Sequence, residues 1–388
     1  MSLQTRLITP LDILMLRGNK SFGDSGEHGV SSMPPSPSVL AGALRSFWLA
    51  ELGCDLAKFS RRDRNNPAKP EEFAEPICSQ LGTPAFPRGF RLAGSGLMRQ
   101  HNQQWQRLYP LPADLVLQKN AKNKDDTHPT LYALKPALLP NGLWCNLGEN
   151  SYVPLLQAPP GKPESGYWLT EAGYHLYLQG ELPPTSEWIK SSVLWKSDWR
   201  LGIALDSDKR TTGDGQLYTT EAIALHDSIR LFVDIEGAPD YPANGNLRLG
   251  GDGRGASFDL LEASVLPSVI PNNGKLKLIL SSPAIFKDGW QLPTQDANGR
   301  IQFEGGSARV VTASVPRHHV VSGWDLANWC PKAAERVVPA GSVYWLDEIQ
   351  TNNPASLPTA LQDLLLGDTD PQRRAEGYNA CHIGHWII

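Results

Sequence analysis

Frequent glycine and proline residues are the feature that most limits how this chain can fold. The 388 residues include 35 glycines and 32 prolines, which interrupt almost every apolar segment. Both residue types favour turns and weaken helices, so long helices and coiled coils are disfavoured. The second half contains short strand-like segments and only one clear late helix, at 359–366. The pattern predicts an α+β protein built mainly from strands.

The opening of the chain predicts a strand, a loop and then a helix. Residues 6–16 hold closely spaced apolar side chains with the length of a strand. Ser36 is a good N-cap, and Pro37 suits the first helical position. Apolar residues then recur at helical spacing as far as Gly53.

The length of the chain predicts at least two domains, because a typical domain has about 150 residues. Residues 136–166 are rich in proline and are the best candidate for an interdomain connection. We therefore expect an N-terminal domain at 1–150 and a C-terminal domain at 165–388.

Charge is unevenly distributed along the chain. Residues 1–135 carry 17 basic and 12 acidic side chains, whereas the remainder carries 19 and 28. A modestly basic first third favours a polyanionic partner, although a whole-protein pI near 6.2 argues against nonspecific coating of nucleic acid. No apolar stretch is long enough to span a membrane, and the start of the chain lacks a secretory signal pattern. We expect a cytoplasmic protein without membrane contacts.

A glycine-rich loop at 250–255 is the sharpest local motif. Four glycines surround Asp252 and Arg254. Glycine lets backbone N–H groups approach a phosphate or a base, and the arginine supplies charge. A dinucleotide fingerprint would require a following helix, whereas residues 256–265 have the character of a strand. An ordinary hairpin turn is the alternative interpretation.

Two other segments have the chemistry of an anion site. At the predicted helix start, free N–H groups, the hydroxyls of Ser36 and Ser38, and Arg45 could hold a phosphate. The polar loop at 208–218 lies between predicted strands and carries basic residues. The alternatives are an ordinary capped core helix and a solvated turn.

Residues 88–109 predict a basic β-hairpin. Two strand-like runs are joined by a polar stretch, and the segment contains no acidic residue. Cations on a projecting element favour a polyanion through phosphate neutralisation. A structural hairpin buried in its own domain is the alternative. The basic residues are Arg88, Arg91, Arg99, His101 and Arg107.

No metal or cofactor site is predicted. The five cysteines are far apart and form no C-x-x-C pair. Cys381, His382 and His385 supply three possible ligands, but the sequence identifies no fourth. The phosphate-binding loop, zinc-protease and nucleophile-elbow motifs do not occur.

Several motifs, taken in order, resemble those of the third-subunit family of type III-B (Cmr) CRISPR effector complexes, within the RAMP superfamily. Each motif is weak alone, and their collinear order over nearly the whole chain carries the resemblance. The motifs are Pro10 with Asp12, the helix start at 37–45, Pro110–Asp114, Arg200–Leu205, Leu217–Tyr218, the glycine-rich loop, Gly323–Asp325, Val338–Tyr344, Gly377–Tyr378 and Gly384–Trp386.

This resemblance implies two tandem ferredoxin-like domains, each a βαββαβ sheet, with glycine-rich loops near the cleft between them. It implies a noncatalytic subunit that holds the 5′ repeat-derived tag of the CRISPR RNA. The partners would be the large polymerase-like subunit and the first backbone subunit. RAMP subunits also carry a thumb-like hairpin that folds over the guide RNA, and we expect 88–109 to play this role with Arg99 and His101 at its tip.

The predicted RNA-binding residues combine these segments. Asp252 lowers the local positive charge, so backbone N–H groups should contribute more than charge at the glycine-rich loop. Two other functions stay open: a repeat-cleaving RAMP endoribonuclease, with His28 as a candidate acid/base, and a tryptophan-rich protein- or carbohydrate-binding module. The predicted residues are Lys20, Ser36, Ser38, Arg45, Arg91, Arg99, His101, Lys209, Arg210, Thr211, Gly213, Arg248, Gly250, Gly251, Gly253 and Arg254.

Overall fold

A computed structural model describes residues 3–16, 28–29, 31–61, 66–119, 129–139, 142, 151–205, 209, 212–262, 266, 269, 274–325 and 330–387. Within these ranges the helices are α1 Pro37–Glu51, α2 Leu56–Phe59, α3 Glu171–Leu178, α4 Leu357–Gly367 and α5 Pro371–Glu376. None of the helices in the described ranges is long and apolar enough to cross a membrane.

Strands dominate the described chain, as the sequence predicts. They are β1 Gln4–Pro10, β2 His28–Gly29, β3 Arg91–His101, β4 Gln104–Pro110, β5 Leu115–Gln118, β6 Thr130–Leu138, β7 Tyr152–Leu156, β8 Pro163–Glu164, β9 Tyr167–Thr170, β10 Trp188–Lys190, β11 Trp195–Leu205, β12 Thr212–Leu225, β13 Ile229–Glu236, β14 Asn244–Arg248, β15 Gly255–Leu261, β16 Leu276–Leu280, β17 Arg300–Phe303, β18 Gly306–Ser314, β19 His319–Val321, β20 Trp324–Asp325, β21 Cys330–Pro331, β22 Glu335–Val337, β23 Val343–Thr351 and β24 Cys381–Gly384.

The largest sheet has eight antiparallel strands in the order β10-β9-β4-β3-β13-β1-β15-β14. Helix α1 covers one of its faces. Leu40, Leu44 and Trp48 recur every four residues on α1 and are fully buried in one core with Ile8 and Phe258 of the sheet. The apolar residues that recur at helical spacing in the sequence are therefore the ones that pack on this sheet.

A second sheet has the order β17-β18-β23-β16-β24 and is also antiparallel. Helix α4 packs on it through Leu357, Leu361 and Leu365, which share a core with Leu278 and Ile383. The buried positions again recur every four residues, because one stripe of a short helix faces the sheet.

Both sheets contain the same arrangement of four neighbouring strands. In the large sheet the order is β15-β1-β13-β3, and in the second sheet it is β24-β16-β23-β18. When each set is numbered along the chain, both orders are four-one-three-two. Helix α1 connects the first two strands of the large-sheet set, whereas α4 and α5 connect the last two of the other set.

The predicted domain division does not coincide with the sheets. Strands β1, β3 and β4 come from 1–150 and pair in one sheet with β13, β14 and β15 from 165–388. The passage at 136–166 instead contributes to a small sheet of order β7-β6-β5-β8, where Pro136 of β6 pairs with Pro154 of β7. Pro136 lies in the half of β6 that pairs with β7 alone, where proline is tolerated, so the prolines here belong to strands rather than to a linker. The chain changes from one main sheet to the other between 262 and 275.

Candidate nucleic-acid interface

One end of the large sheet gathers several of the predicted RNA-binding segments. Strands β1 and β14 finish at this end, β13 and β15 begin there, and β3 turns into β4 there. The register brings Pro10 opposite Ala256 and Arg248 opposite Gly255, with the turn after His101 at the same end. We refer to this end as the loop end.

The glycine-rich loop connects β14 to β15 as a hairpin at the loop end. Its backbone is fastened to the chain after β1, since the Gly251 N–H donates to the Met15 carbonyl at 2.7 Å. Gly250 has a φ of +82°, and a Cβ there would lie 2.5 Å from the Met15 oxygen, so the position requires glycine. Arg254 pairs with Asp12 at 2.5 Å, whereas Arg248 is exposed. The loop thus has the geometry of a hairpin connection, and Arg248 is its more accessible cation.

The start of α1 lies close to this loop. The Ser32 N–H donates to the Leu16 carbonyl at 3.0 Å, which holds the approach to the helix beside the residue that anchors the glycine-rich loop. Ser36 makes no side-chain cap and instead shares a 2.9 Å hydrogen bond with the Ser38 hydroxyl. Tyr378 donates to Ser38 at 3.3 Å, so the C-terminal Gly377–Tyr378 motif also reaches this helix.

Arg45 does not join the helix start. Its guanidinium lies over the Phe90 ring, 5.3 Å from the centroid. Burial lowers the pKa of Arg45, and the nearby Glu376 carboxylate partly offsets that effect. Arg45 is half-buried and lies two helical turns from the free N–H groups, so the structure does not bring it together with Ser36 and Ser38.

The segment at 88–109 is not a projecting basic arm. It is a hairpin, as predicted, but β3 and β4 lie inside the large sheet. Three of its five basic residues are paired with acids from outside the segment, so the lack of acids within it is largely balanced in the folded protein. These pairs are Arg88 with Glu71, Arg91 with Glu236, and Arg107 with Asp234.

Arg99 and His101 do lie at the loop end, whereas Arg91 lies at the opposite end of β3. His101 is exposed beside a tight turn in which Asn102 and Gln103 both have positive φ. Arg99 is half-buried, and its Nε has no hydrogen-bond partner among the residues that the structure describes.

A long hairpin formed by β11 and β12 extends from the loop end. Near its base, Ile223 is buried in the core of the large sheet. Farther out on the same side, Trp199, Leu201 and Ile203 are 54%, 68% and 52% exposed. The sequence predicts strands on both sides of the polar loop, but the alternation that places these apolar residues on one face was not recognised in it.

The predicted site on the polar loop at 208–218 lies at the far end of this hairpin. Lys209 is exposed there, and Gly213 belongs to β12. The distance from Leu225 is roughly 40 Å at about 3.3 Å per residue, so this segment is not next to the glycine-rich loop. Three further predicted residues, Lys20, Arg210 and Thr211, fall outside the described residues.

The possible metal ligands near the C-terminus do not come together in the folded protein. Cys381 and His382 are neighbours in β24, so their side chains point to opposite faces of the strand. Burial raises the pKa of the Cys381 thiol to about 12, and His382 contacts the Tyr174 hydroxyl at 3.0 Å. No group of three His, Cys, Asp or Glu side chains in the described ranges could hold a metal ion.

A cavity of about 290 Å³ lies beside α5. Lys332, Arg373 and Glu376 are among its lining residues. These charges pair with one another: Arg373 and Lys332 both bind the Glu376 carboxylate, at 3.0 and 3.3 Å. The cavity therefore does not coincide with the predicted RNA-binding residues.

The strand-rich fold and the glycine-rich loop can be compared with known proteins. A family model of CRISPR-associated proteins matches residues 6–386, nearly the whole chain. The chain belongs to this family, Cas_Cmr3. The resemblance predicted from the order of the motifs is thus confirmed at the level of the family.

Two solved structures are similar over 97% of this chain, each with 13% sequence identity. One is a type III-B Cmr-beta complex bound to cognate target RNA and AMPPnP, with a TM-score of 0.48 and 98% of its chain covered. The other is a type III-B Cmr-beta complex bound to cognate target RNA, with a TM-score of 0.49 and 96% covered. The search of curated proteins finds no significant match.

Proposed function

We propose that this protein is a noncatalytic RNA-binding subunit of a type III-B CRISPR effector complex and that it caps the 5′ repeat-derived tag of the CRISPR RNA. Family membership supports the assignment to a CRISPR system. The observation that carries the RNA-binding role is the glycine-rich hairpin at the loop end, next to exposed Arg248 and the start of α1. The Gly251 N–H is already bonded to Met15, but a backbone without Cβ atoms allows close approach, and the exposed guanidinium of Arg248 suits phosphates.

The strand orders support an architecture of two ferredoxin-like units. The four-one-three-two order of antiparallel strands occurs in both main sheets. Each unit keeps only one of the two connections as α-helix, and the first unit contains a long insertion between its second and third strands. In this proposal the boundary lies at 262–275, and the glycine-rich loop belongs to the first unit.

We further propose that the β11–β12 hairpin, rather than 88–109, is the thumb-like element implied by the resemblance. It starts at the loop end and carries exposed Trp199, Leu201 and Ile203. RNA leaving the glycine-rich loop would pass its base, and the first backbone subunit would cover its apolar outer face. The large polymerase-like subunit is the other partner in this proposal.

Removal of the exposed cation tests the tag site. Arg248→Ala should weaken binding of CRISPR RNA to the full chain about fivefold to tenfold at moderate salt. Because one phosphate contact is lost, the slope of log affinity against log salt concentration should also fall by about one. Arg317→Ala is the matched control, since Arg317 is exposed on the other half of the protein. Fluorescence anisotropy over a salt series measures both quantities. Equal affinities for the two variants would contradict the tag site at this loop.

A repeat RNA tests the absence of catalysis. Labelled repeat RNA incubated with the purified chain should remain uncut. Cleavage within the repeat would contradict a noncatalytic subunit and favour the endoribonuclease alternative, for which His28 is the candidate acid/base.

A further inference from the structure

The face of the large sheet opposite α1 is covered unevenly. Away from the loop end, His382 of β24 packs against it, with its ring centroid 6.0 Å from that of Tyr109. Beside these rings, Arg107 forms a buried bidentate pair with Asp234, at 2.5 and 2.9 Å. Towards the loop end, Met98 is buried on this face, whereas Thr9, Trp105 and Arg230 are only partly buried. One section of the face is therefore partly open to solvent.

Trp105 and Arg230 are the principal side chains of this open section. The Arg230 guanidinium carbon lies 5.9 Å from the centroid of the Trp105 ring. Its Nε donates to the Thr9 hydroxyl at 3.1 Å, and its Nη1 donates to the carbonyls of Asp227 and Ile229 at 2.9 and 2.8 Å. All these acceptors are neutral, so among the described residues no carboxylate neutralises Arg230. The guanidinium is fixed in place yet keeps its charge.

The aromatic residue on the central strand is not available for stacking. Sheets that bind single-stranded RNA commonly stack bases on aromatic side chains of their open face. Here Phe232 of β13 is only 4% exposed, and the Arg107 guanidinium lies over its ring at 4.4 Å. Trp105, two strands away on the same face, is partly exposed and lies opposite exposed Gln100. The indole is thus the aromatic surface that a base can reach.

We propose that Trp105 and Arg230 form a nucleotide subsite for single-stranded RNA on this face, with one base stacked on the indole and its phosphate bound to the guanidinium. The subsite rests on the proposed RNA-binding function but is separate from the glycine-rich loop. Asp259, exposed on the same face of β15, disfavours a phosphate on that side. The RNA therefore passes over β4 and β13 at the loop end rather than over β15.

Substitutions in the full chain test the subsite, with a CRISPR RNA from the organism's own array as the probe. Trp105→Ala should weaken binding about tenfold, the size expected for loss of one base–aromatic stack. Trp105→Phe should stay within about threefold of the parent, because it keeps an aromatic face. Trp290→Ala, which removes an exposed indole elsewhere, should have no effect. Arg230→Gln keeps a polar side chain of similar length, which limits any folding defect. It should weaken binding about fivefold and make the dependence of affinity on salt concentration less steep.

Crosslinking separates failure of the subsite from failure of the proposed function. With 4-thiouridine in the RNA, crosslinks should map to peptides containing Trp105 or Arg230. The subsite is wrong, and the tag site stands, if Arg248→Ala weakens RNA binding but Trp105→Ala binds RNA as tightly as Trp290→Ala does. The peptides that contain Trp105 or Arg230 would then also remain free of crosslinks. If the parent protein binds no CRISPR RNA, both proposals are wrong.

Discussion

Replacing Asp114 with alanine is expected to lower the free energy of unfolding by about 3–5 kcal/mol. The reason is a buried charge that loses its partner. Lys277 is 0% exposed, and its Nζ donates to Asp114 at 2.9 Å. The Tyr177 hydroxyl donates to the other carboxylate oxygen at 2.7 Å. The carboxylate thus joins the residues after β4 to the second sheet and to α3. Without it, the Lys277 ammonium and the Tyr177 hydroxyl are buried with no carboxylate to accept their hydrogen bonds.

Urea denaturation of matched variants measures this effect. Asp347→Ala removes a more exposed ion pair with Arg309 and should cost no more than about 1 kcal/mol. Adding Lys277→Met to Asp114→Ala should recover part of the loss, because an apolar side chain needs no counter-ion. If Asp114→Ala lowers the free energy of unfolding as little as Asp347→Ala does, the buried contacts of Asp114 have no structural importance.

Acidification should destabilise the protein through His382. Burial, followed by the nearby charge of Arg107, lowers the pKa of His382 to about 4. The unfolded chain, with an imidazole pKa near 6.5, binds this proton more readily than the folded chain does. The stability contribution is therefore complete above about pH 6.5 and is lost as the pH falls towards 4. We expect a loss of about 2 kcal/mol, allowing for screening of the partly accessible ring.

The free energy of unfolding at pH 7.5 and pH 4.5 measures this contribution. His382→Gln should reduce the difference between the two pH values by most of that amount. His101→Gln, in which an exposed imidazole is removed, should leave the difference unchanged. An identical pH dependence in both variants would contradict a neutral, packed His382.

Local sequence patterns predicted the elements that depend on neighbouring residues. Helix α1 begins at Pro37 as predicted and ends at Glu51, two residues before the predicted limit at Gly53. Its start follows from proline geometry and its buried face from a repeat of apolar residues, both of which are local. Strand pairing between distant segments has no such local signal, so the union of β1 and β3 with β13 and β15 could not be read from the sequence.

The candidate site shows the same limit. The glycine-rich loop was recognised because glycine has few local reasons to recur at such short spacing, and Gly250 does require its positive φ. The arginines of 88–109 were misjudged because their partners, Glu71, Asp234 and Glu236, lie outside the segment. Trp105 and Arg230 carried no signal at all, since only the folded sheet brings them together.

The most direct test of the central proposal is to identify the RNA positions that contact this chain inside its assembled complex. The chain would be expressed with its genomic neighbours, crosslinked to bound RNA with ultraviolet light, isolated under denaturing conditions and its RNA sequenced. The proposal predicts CRISPR RNAs with crosslinks concentrated in the repeat-derived sequence at the 5′ end. Crosslinks spread evenly along the spacer, or no CRISPR RNA attached to this chain, would contradict a tag-capping subunit.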